Sequence, residues 1–116
     1  MAITVAFSGS EAVSTTEHSM TTDTAGPDAE TSDGVFQLFL GLTDMAVGDE
    51  LQVRIYEKVL SSSTQRIVYQ QNISGKLGVF GAGFVFPALV LMHGWDMTLD
   101  AISGTIDIEW SIRKVA

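Results

Sequence analysis

The sequence lacks cysteine and contains little positive charge. With no cysteine in 116 residues, neither a disulfide framework nor a thiolate metal site is possible. Six lysines and arginines against 14 aspartates and glutamates give a formal net charge of −8, which argues against nucleic-acid binding because that function needs a basic surface. The longest apolar run, 84–92, is far shorter than the roughly 20 residues of a membrane helix. Residues 1–9 carry no basic segment, so we expect no signal peptide.

The charges that are present are sorted along the chain. The first 53 residues hold nine carboxylates and no lysine or arginine, whereas the remaining 63 hold five carboxylates and all six basic residues. Protein surfaces usually intersperse the two signs. We therefore expect one acidic end and one nearly neutral end in the folded unit, a polarity that suits docking between surfaces better than chemistry on a small molecule.

The composition is apolar for a soluble monomer. Hydrophobic residues make up 46% of the chain and charged residues 17%, whereas charged residues average about 25% in globular domains. Apolar side chains that the core cannot cover must lie on the surface, where contiguous patches favour association. The length fits one domain over residues 1–116, and we expect that domain to form an obligate homo-oligomer.

Alternation of apolar and polar residues predicts β-strands. The clearest example runs from Thr105 to Arg113, and a bulge or the end of the strand is expected near Tyr56 because the alternation breaks there. Segment 35–42 is compatible with a central strand or a short helix, and Pro87 places its segment at an edge or a bend. Further strands are predicted at 3–7, 12–20, 51–59, 66–73, 84–91 and 95–100. Short strands separated by Gly and Ser turns indicate an all-β, antiparallel β-sandwich of jelly-roll-like type.

Two loops are predicted between these strands. Residues 21–34 contain four acids and no large apolar side chain, and we expect an exposed acidic loop or arm. Residues 75–83 contain four glycines interleaved with apolar residues. An apolar, glycine-rich loop loses much entropy on ordering, and a partner subunit could cover its side chains. We therefore predict self-association through the apolar aromatics in and after this loop, namely Phe80, Phe84, Phe86 and Trp95. Trp95 follows a turn at Gly94, and its position is compatible with the core as well as with an interface.

Few residues are candidates for chemistry. Clustered oxygens could bind calcium, but the acids of the first loop do not have the spacing of an EF-hand, and we interpret them as a solvated or docking segment. His18 and His93 have no recognisable nucleophile beside them. We therefore predict no enzyme activity, catalytic residue, metal site or cofactor. The acids of the first loop are Asp23, Asp28, Glu30 and Asp33.

Three segments resemble small proteins encoded beside the head genes of tailed bacteriophages, some of which act as capsid decoration (cement) proteins. The segments are Leu51–Val59, Leu91–Leu99 and Gly104–Arg113. The resemblance implies a jelly-roll-like homotrimer that is made in the host cytoplasm and binds the major capsid protein on the outer surface of the virion head. In that setting the four loop acids, or the N-terminal segment as an arm, would dock on the capsid, with no role for nucleic acid or a membrane.

A carbohydrate-binding module on a virion surface or tail is the alternative function. Aromatic side chains that stack on sugars could come from Trp95 with Tyr56 or Tyr69. Trp110 is expected in the core because it shares a face with Ile108 and Ile112. A small hydrolase or isomerase has the least support, because no acid–base pair is discernible and Asp107 and Glu109 fall on the outer face of a strand.

Overall fold

A computed structural model describes residues 2–76 and 82–115, and within these ranges the chain forms strands without a helix. The strands are β1 (Ile3–Val13), β2 (His18–Ser19), β3 (Thr24–Ala25), β4 (Gly34–Gly41), β5 (Glu50–Lys58), β6 (Gln65–Ser74), β7 (Gly83–Val85), β8 (Leu89–Leu91), β9 (Asp96–Ala101) and β10 (Ile106–Val115). Because no helix occurs there, none of these residues forms a helical span long and apolar enough to cross a bilayer.

The strands form two five-stranded antiparallel sheets. The first sheet has the order β1-β10-β4-β7, with β8 also paired to β4 on the far side from β10. The second sheet has the order β3-β2-β9-β5-β6. The structure thus confirms the predicted all-β antiparallel sandwich, and it resolves segment 35–42 as a strand.

The core lies between the sheets and follows the alternation of the sequence. In β10, Ile106, Ile108, Trp110 and Ile112 are buried while Asp107 and Glu109 are exposed. In β5, Leu51, Val53 and Ile55 are buried in the same way. One-sided burial is what this period-2 pattern predicts.

Two irregularities occur where the sequence indicated them. The β5–β6 register shifts between Ile55 and Tyr56, so that Tyr69 lies opposite Ile55 and Ile67 lies opposite Tyr56. Val68 is the extra residue of this bulge. Ile67 has the same parity in the sequence as Tyr69 and Ile73, but the bulge turns Ile67 to the other face and leaves it 48% exposed. Pro87 divides the predicted strand 84–91 into β7 and β8, since proline cannot donate to a strand ladder.

The two open sides of the sandwich differ in character. On one side β1 of the first sheet lies near β2 and β3 of the second, and acidic side chains such as Glu11 and Asp23 gather there. On the other side β6 lies near β8, and four exposed apolar side chains line a groove there. The acidic segment reaches this side as well, because Gln65 of β6 donates to the carbonyl oxygen of Asp28 and Gly34 pairs with Leu91 of β8.

Candidate functional site

The acidic segment 21–34 is held against the second sheet by a buried carboxylate, that of Asp96 at the start of β9. Asp96 is completely buried. Its oxygens accept hydrogen bonds from Ser19 Oγ at 3.0 Å, Thr21 Oγ1 at 2.7 Å and the backbone N–H groups of Asp28 and Met97 at 2.8 and 2.9 Å. Burial raises the pKa of the Asp96 carboxyl above its usual 3.8, and the four hydrogen bonds act in the opposite direction. This carboxylate fixes the path of the segment.

Trp95 provides a second attachment for the same segment. Its backbone exchanges hydrogen bonds with that of Glu30, at 2.7 and 3.1 Å, and its indole Nε1 donates to the carbonyl oxygen of Ser32 at 2.7 Å. Gly94 precedes it with a φ of 51°, a left-handed conformation that glycine adopts easily. The predicted exposed loop or arm is therefore a segment whose backbone is tied to β9 at several points.

The four acids of this segment point in different directions. Asp28 accepts hydrogen bonds from the hydroxyls of Thr22 and Thr24, and Glu30 accepts them from the backbone N–H groups of Thr31 and Ser32. The Asp33 side chain is exposed, and Asp23 contacts His18. The structure does not bring the four carboxylates together, so the calcium site considered for Asp23, Asp28, Glu30 and Asp33 is not assembled.

The outer face of the second sheet carries a polar cluster that sequence reasoning missed. Glu17 accepts hydrogen bonds from Tyr56 Oη at 2.6 Å and from the Thr98 hydroxyl. Arg54 Nη1 lies 3.6 Å from carboxylate oxygens of both Glu17 and Asp100. Burial, reinforced by Glu17, raises the pKa of Tyr56 to about 12, and burial also raises the pKa of Asp100 against the opposing effect of Arg54. The cluster pairs its own members and cross-links β2, β5 and β9.

Two of the four residues predicted for self-association lie in the core. Phe86 is 1% exposed and Trp95 is 0% exposed. Neither side chain can contact a second copy of the chain, so neither belongs to a self-association interface. Sequence reasoning placed them outside because loops and turns flank both. Phe84 is half-buried at the edge of the first sheet, with its ring centroid 5.0 Å from that of Phe86. Phe80 lies outside the described residues.

The surface that could bind a partner lies beside these residues, on the apolar side of the sandwich. Four exposed apolar side chains there line one groove, with exposures between 50% and 74%. We call it the apolar groove; its apolar residues are Val59, Val68, Val90 and Met92, and its polar ones are Glu57, Lys58 and His93. The break in alternation after Tyr56 marks the place in the sheet, because the bulge opposite it in β6 contains Val68.

The aromatic residues do not form a platform for sugar stacking. Trp95 is enclosed by Phe36 and Phe7, with ring centroids 4.4 and 6.0 Å away. Tyr69 lies opposite Ile55 and packs against Phe86, whereas Tyr56 projects from the other face of β5. Carbohydrate modules need exposed and co-facing rings, and the three residues of the alternative hypothesis lie on different faces. Trp110 is buried as predicted.

Comparisons with known proteins find two partial structural similarities at low identity. No protein-family model matches the chain, and no curated protein sequence matches it. Two solved structures of a pentameric capsid protein isolated from metagenomic phage sequences are similar, with TM-scores of 0.43 and 0.42 and 12% identity in each case. The alignments cover 97% of this chain but only 62% and 64% of those chains, so the present sequence spans less than two thirds of their length.

Proposed function

We propose that this chain is a structural protein of a phage virion, a capsid decoration protein that self-associates and binds the outer surface of the head. The apolar groove is the observation that carries the self-association. Its four apolar side chains project at the side where β6 and β8 form the outer strands of their sheets. Unpaired strand edges and contiguous exposed apolar surface both favour association with another chain.

A second copy of this chain is the partner that best fits the groove. Copies with a net charge of −8 repel one another, and they can approach most closely where the local charge is lowest. Glu57 and Lys58 balance each other in the groove, and Glu57 is also held by the backbone N–H groups of Met92 and His93 at 2.7 and 3.1 Å. Phe84, on the neighbouring edge strand β7, is half-buried against the core. We propose a homotrimer, as the resemblance to decoration proteins implies.

Replacing Val68 and Val90 with aspartate is expected to dissociate the oligomer. Two buried like charges in a subunit contact are strongly unfavourable, so sedimentation velocity at micromolar concentration should change from a species several times 12.4 kDa to the 12.4 kDa monomer. The matched control is Val47→Asp, which adds the same charge at another exposed valine outside the groove and should leave the oligomer intact. An unmutated chain that sediments as a monomer would contradict the proposal.

The acidic segment is the proposed docking surface for the major capsid protein. Its backbone is fixed by Asp96 and Trp95, so the carboxylates of Asp23 and Asp33 are presented on an ordered surface. Ordered charges steer association and select partners, and many copies on one lattice would strengthen modest contacts through multivalency. A basic patch on the shell protein is the complementary surface that this segment requires.

Neutralising two acids of this segment should weaken binding to phage heads. The double change Asp28→Asn and Asp33→Asn removes two negative charges and is expected to lower the affinity about 2- to 30-fold, since exposed ion pairs contribute about 0.2–1 kcal/mol each. Co-sedimentation with purified heads measures the effect, which should shrink at high salt. Asp44→Asn is the control, because it removes an exposed charge outside the segment. Binding unaffected by either the double change or salt would exclude this docking surface.

A further inference from the structure

Three side chains capable of binding a metal converge at the acidic side of the sandwich. Glu11 projects from β1, opposite the buried Ile108 in the strand register, and His18 projects from β2, opposite the buried Leu99. Asp23 follows in the turn before β3. The two sheets thus each contribute a side chain that faces the gap between them. One ligand atom from each of the three residues lies within 4.8 Å of the others.

The imidazole of His18 is fixed within this cluster. The residue is 8% exposed, and its ring packs edge-on against the Trp110 indole with centroids 5.5 Å apart. Nε2 lies 2.8 Å from Asp23 Oδ1, and Nδ1 lies 3.8 Å from Glu11 Oε2. Both ring nitrogens therefore face carboxylate oxygens, one from each side.

A neutral imidazole cannot satisfy both carboxylates. It carries one N–H donor and one nitrogen lone pair. In either tautomer the protonated nitrogen can donate to one carboxylate, and the lone pair of the unprotonated nitrogen faces the oxygen of the other carboxylate. A positive charge placed between these groups would interact favourably with both carboxylates. Glu11 and Asp23 together carry a formal charge of −2, which a divalent cation would balance.

We propose that Glu11, His18 and Asp23 bind a divalent transition-metal ion, with Zn²⁺ the best match. One imidazole nitrogen with carboxylate oxygens is a donor set that zinc accepts, at metal–ligand distances of about 2.0–2.2 Å. Ligand atoms of a tetrahedral zinc ion with bonds of about 2.0–2.1 Å lie about 3.3 Å apart, so Nε2 and Asp23 Oδ1, which are hydrogen-bonded at 2.8 Å, would separate by about 0.5 Å to admit the ion. The Glu11 carboxylate completes the set by a side-chain rotation, for which its 44% exposure leaves room.

The ion would link the two sheets at the side away from the apolar groove. β1 belongs to the first sheet and β2 to the second, so a bond network from Glu11 through the metal to His18 closes this side of the sandwich. A ligand that binds the folded state but not the unfolded chain stabilises the fold by mass action. Asp23 belongs both to this site and to the proposed docking segment, but the inference does not depend on the proposed function, because metal binding is measured on the purified chain without phage heads.

Binding of Co²⁺ and Zn²⁺ to the purified, chelator-treated protein tests the proposal. Co²⁺ should produce visible absorption bands that Zn²⁺ displaces, and titration calorimetry should give one Zn²⁺ per chain. Thermal unfolding should shift upward with Zn²⁺ and return with EDTA. Glu11→Gln and Asp23→Asn should each weaken Zn²⁺ binding at least about 10-fold, a loss that even outer partners of metal ligands cause. His93→Gln is the control for binding at an unrelated histidine and should leave binding unchanged.

Two results would overturn the inference. One is that Co²⁺ gives no bands with the unmutated protein, a measurement that needs no variant and therefore no assumption about folding. The other is that the two metals leave thermal unfolding unchanged while mild acid stabilises the unmutated chain more than the Glu11→Gln variant. That second result would mean that a proton, and not a metal ion, supplies the missing charge.

Discussion

Replacing Trp95 with alanine is expected to lower the free energy of unfolding by about 3–5 kcal/mol, the usual range for removal of a buried tryptophan or phenylalanine side chain. The indole is completely buried and contacts Phe36 and Phe7, so its removal leaves a large cavity between the sheets. The Ser32 carbonyl oxygen also loses its donor, Nε1 at 2.7 Å. Urea unfolding at fixed protein concentration measures the change, since the stability of an oligomer depends on concentration.

A conservative substitution separates the two contributions of Trp95. Trp95→Phe retains most of the ring contact with Phe36 and removes only the Nε1 donor, so its effect should be the smaller one, about 1–2 kcal/mol for a lost hydrogen bond and reduced contact. The experiment also distinguishes a core residue from an interface residue. If Trp95→Ala left stability within about 1 kcal/mol but changed the sedimenting mass, the burial of Trp95 within one chain would be contradicted.

The strands that face water on one side could be predicted from the sequence. β10 and β5 alternate because one face packs against the core and the other meets solvent, and this difference in environment is recorded directly in residue types. The bulge near Tyr56 was also predictable, since the alternation fails there. The outward turn of Ile67 was not, because it depends on which strand of the pair carries the extra residue.

The environment of β9 could not be predicted from its own residues. Asp96, Thr98 and Asp100 alternate with apolar residues in the pattern of a solvent-exposed face, yet Asp96 and Thr98 are buried. Their hydrogen-bond partners come from distant parts of the chain, as with Ser19, which is 77 residues from Asp96 in sequence. The alternation of residue types shows which side chains of a strand are polar. It does not show that another segment of the chain packs over those polar side chains and buries them. The same limit explains Trp95, whose neighbouring turn suggested surface while Phe7 and Phe36 enclose it.

The candidate surfaces were predicted in outline rather than in detail. The sorting of charge along the sequence places acids in β1 to β3 and their connections, which come from the first part of the chain. The residues that meet at each side depend on how the two sheets stack. Glu11 of the first sheet therefore lies near His18 and Asp23 of the second, although the sequence suggested grouping Asp23 with Asp28, Glu30 and Asp33.

The second large effect is expected for Asp96, because its carboxylate satisfies four donors at once. Asp96→Ala leaves the hydroxyls of Ser19 and Thr21 and the N–H groups of Asp28 and Met97 without this acceptor. A buried donor without a partner costs about 1–3 kcal/mol, and water can reach the part-buried ones, so we expect a loss of about 3 kcal/mol or more in unfolding free energy. Denaturant unfolding measures it. A loss below about 1 kcal/mol would show that these donors find other acceptors.

Asp96→Asn tests the geometry of the site with less disruption. Three donors converge on Oδ1, from Ser19, Thr21 and Met97, so the asparagine oxygen should remain there. Its NH₂ group must then face the Asp28 N–H, where two donors oppose each other. We expect the Asp28 amide to lose its protection from hydrogen exchange in this variant while the amides of β10 retain theirs. Unchanged protection of Asp28 would contradict the role of Asp96 in holding the acidic segment.

The difference in unfolding free energy between the unmutated protein and the Asp96→Asn variant should change with pH in a definite direction. Burial raises the pKa of Asp96 in the folded state above its usual 3.8, so the carboxyl stabilises the fold fully below pH 3.8 and progressively less as the pH rises through the folded-state value. The difference in unfolding free energy between the unmutated protein and Asp96→Asn should therefore fall over this range. Taking the difference removes the contribution of the other carboxylates, which titrate in both proteins. If the difference rose with pH instead, the four hydrogen bonds would outweigh the burial of the charge, and Asp96 would stabilise the fold most when ionised.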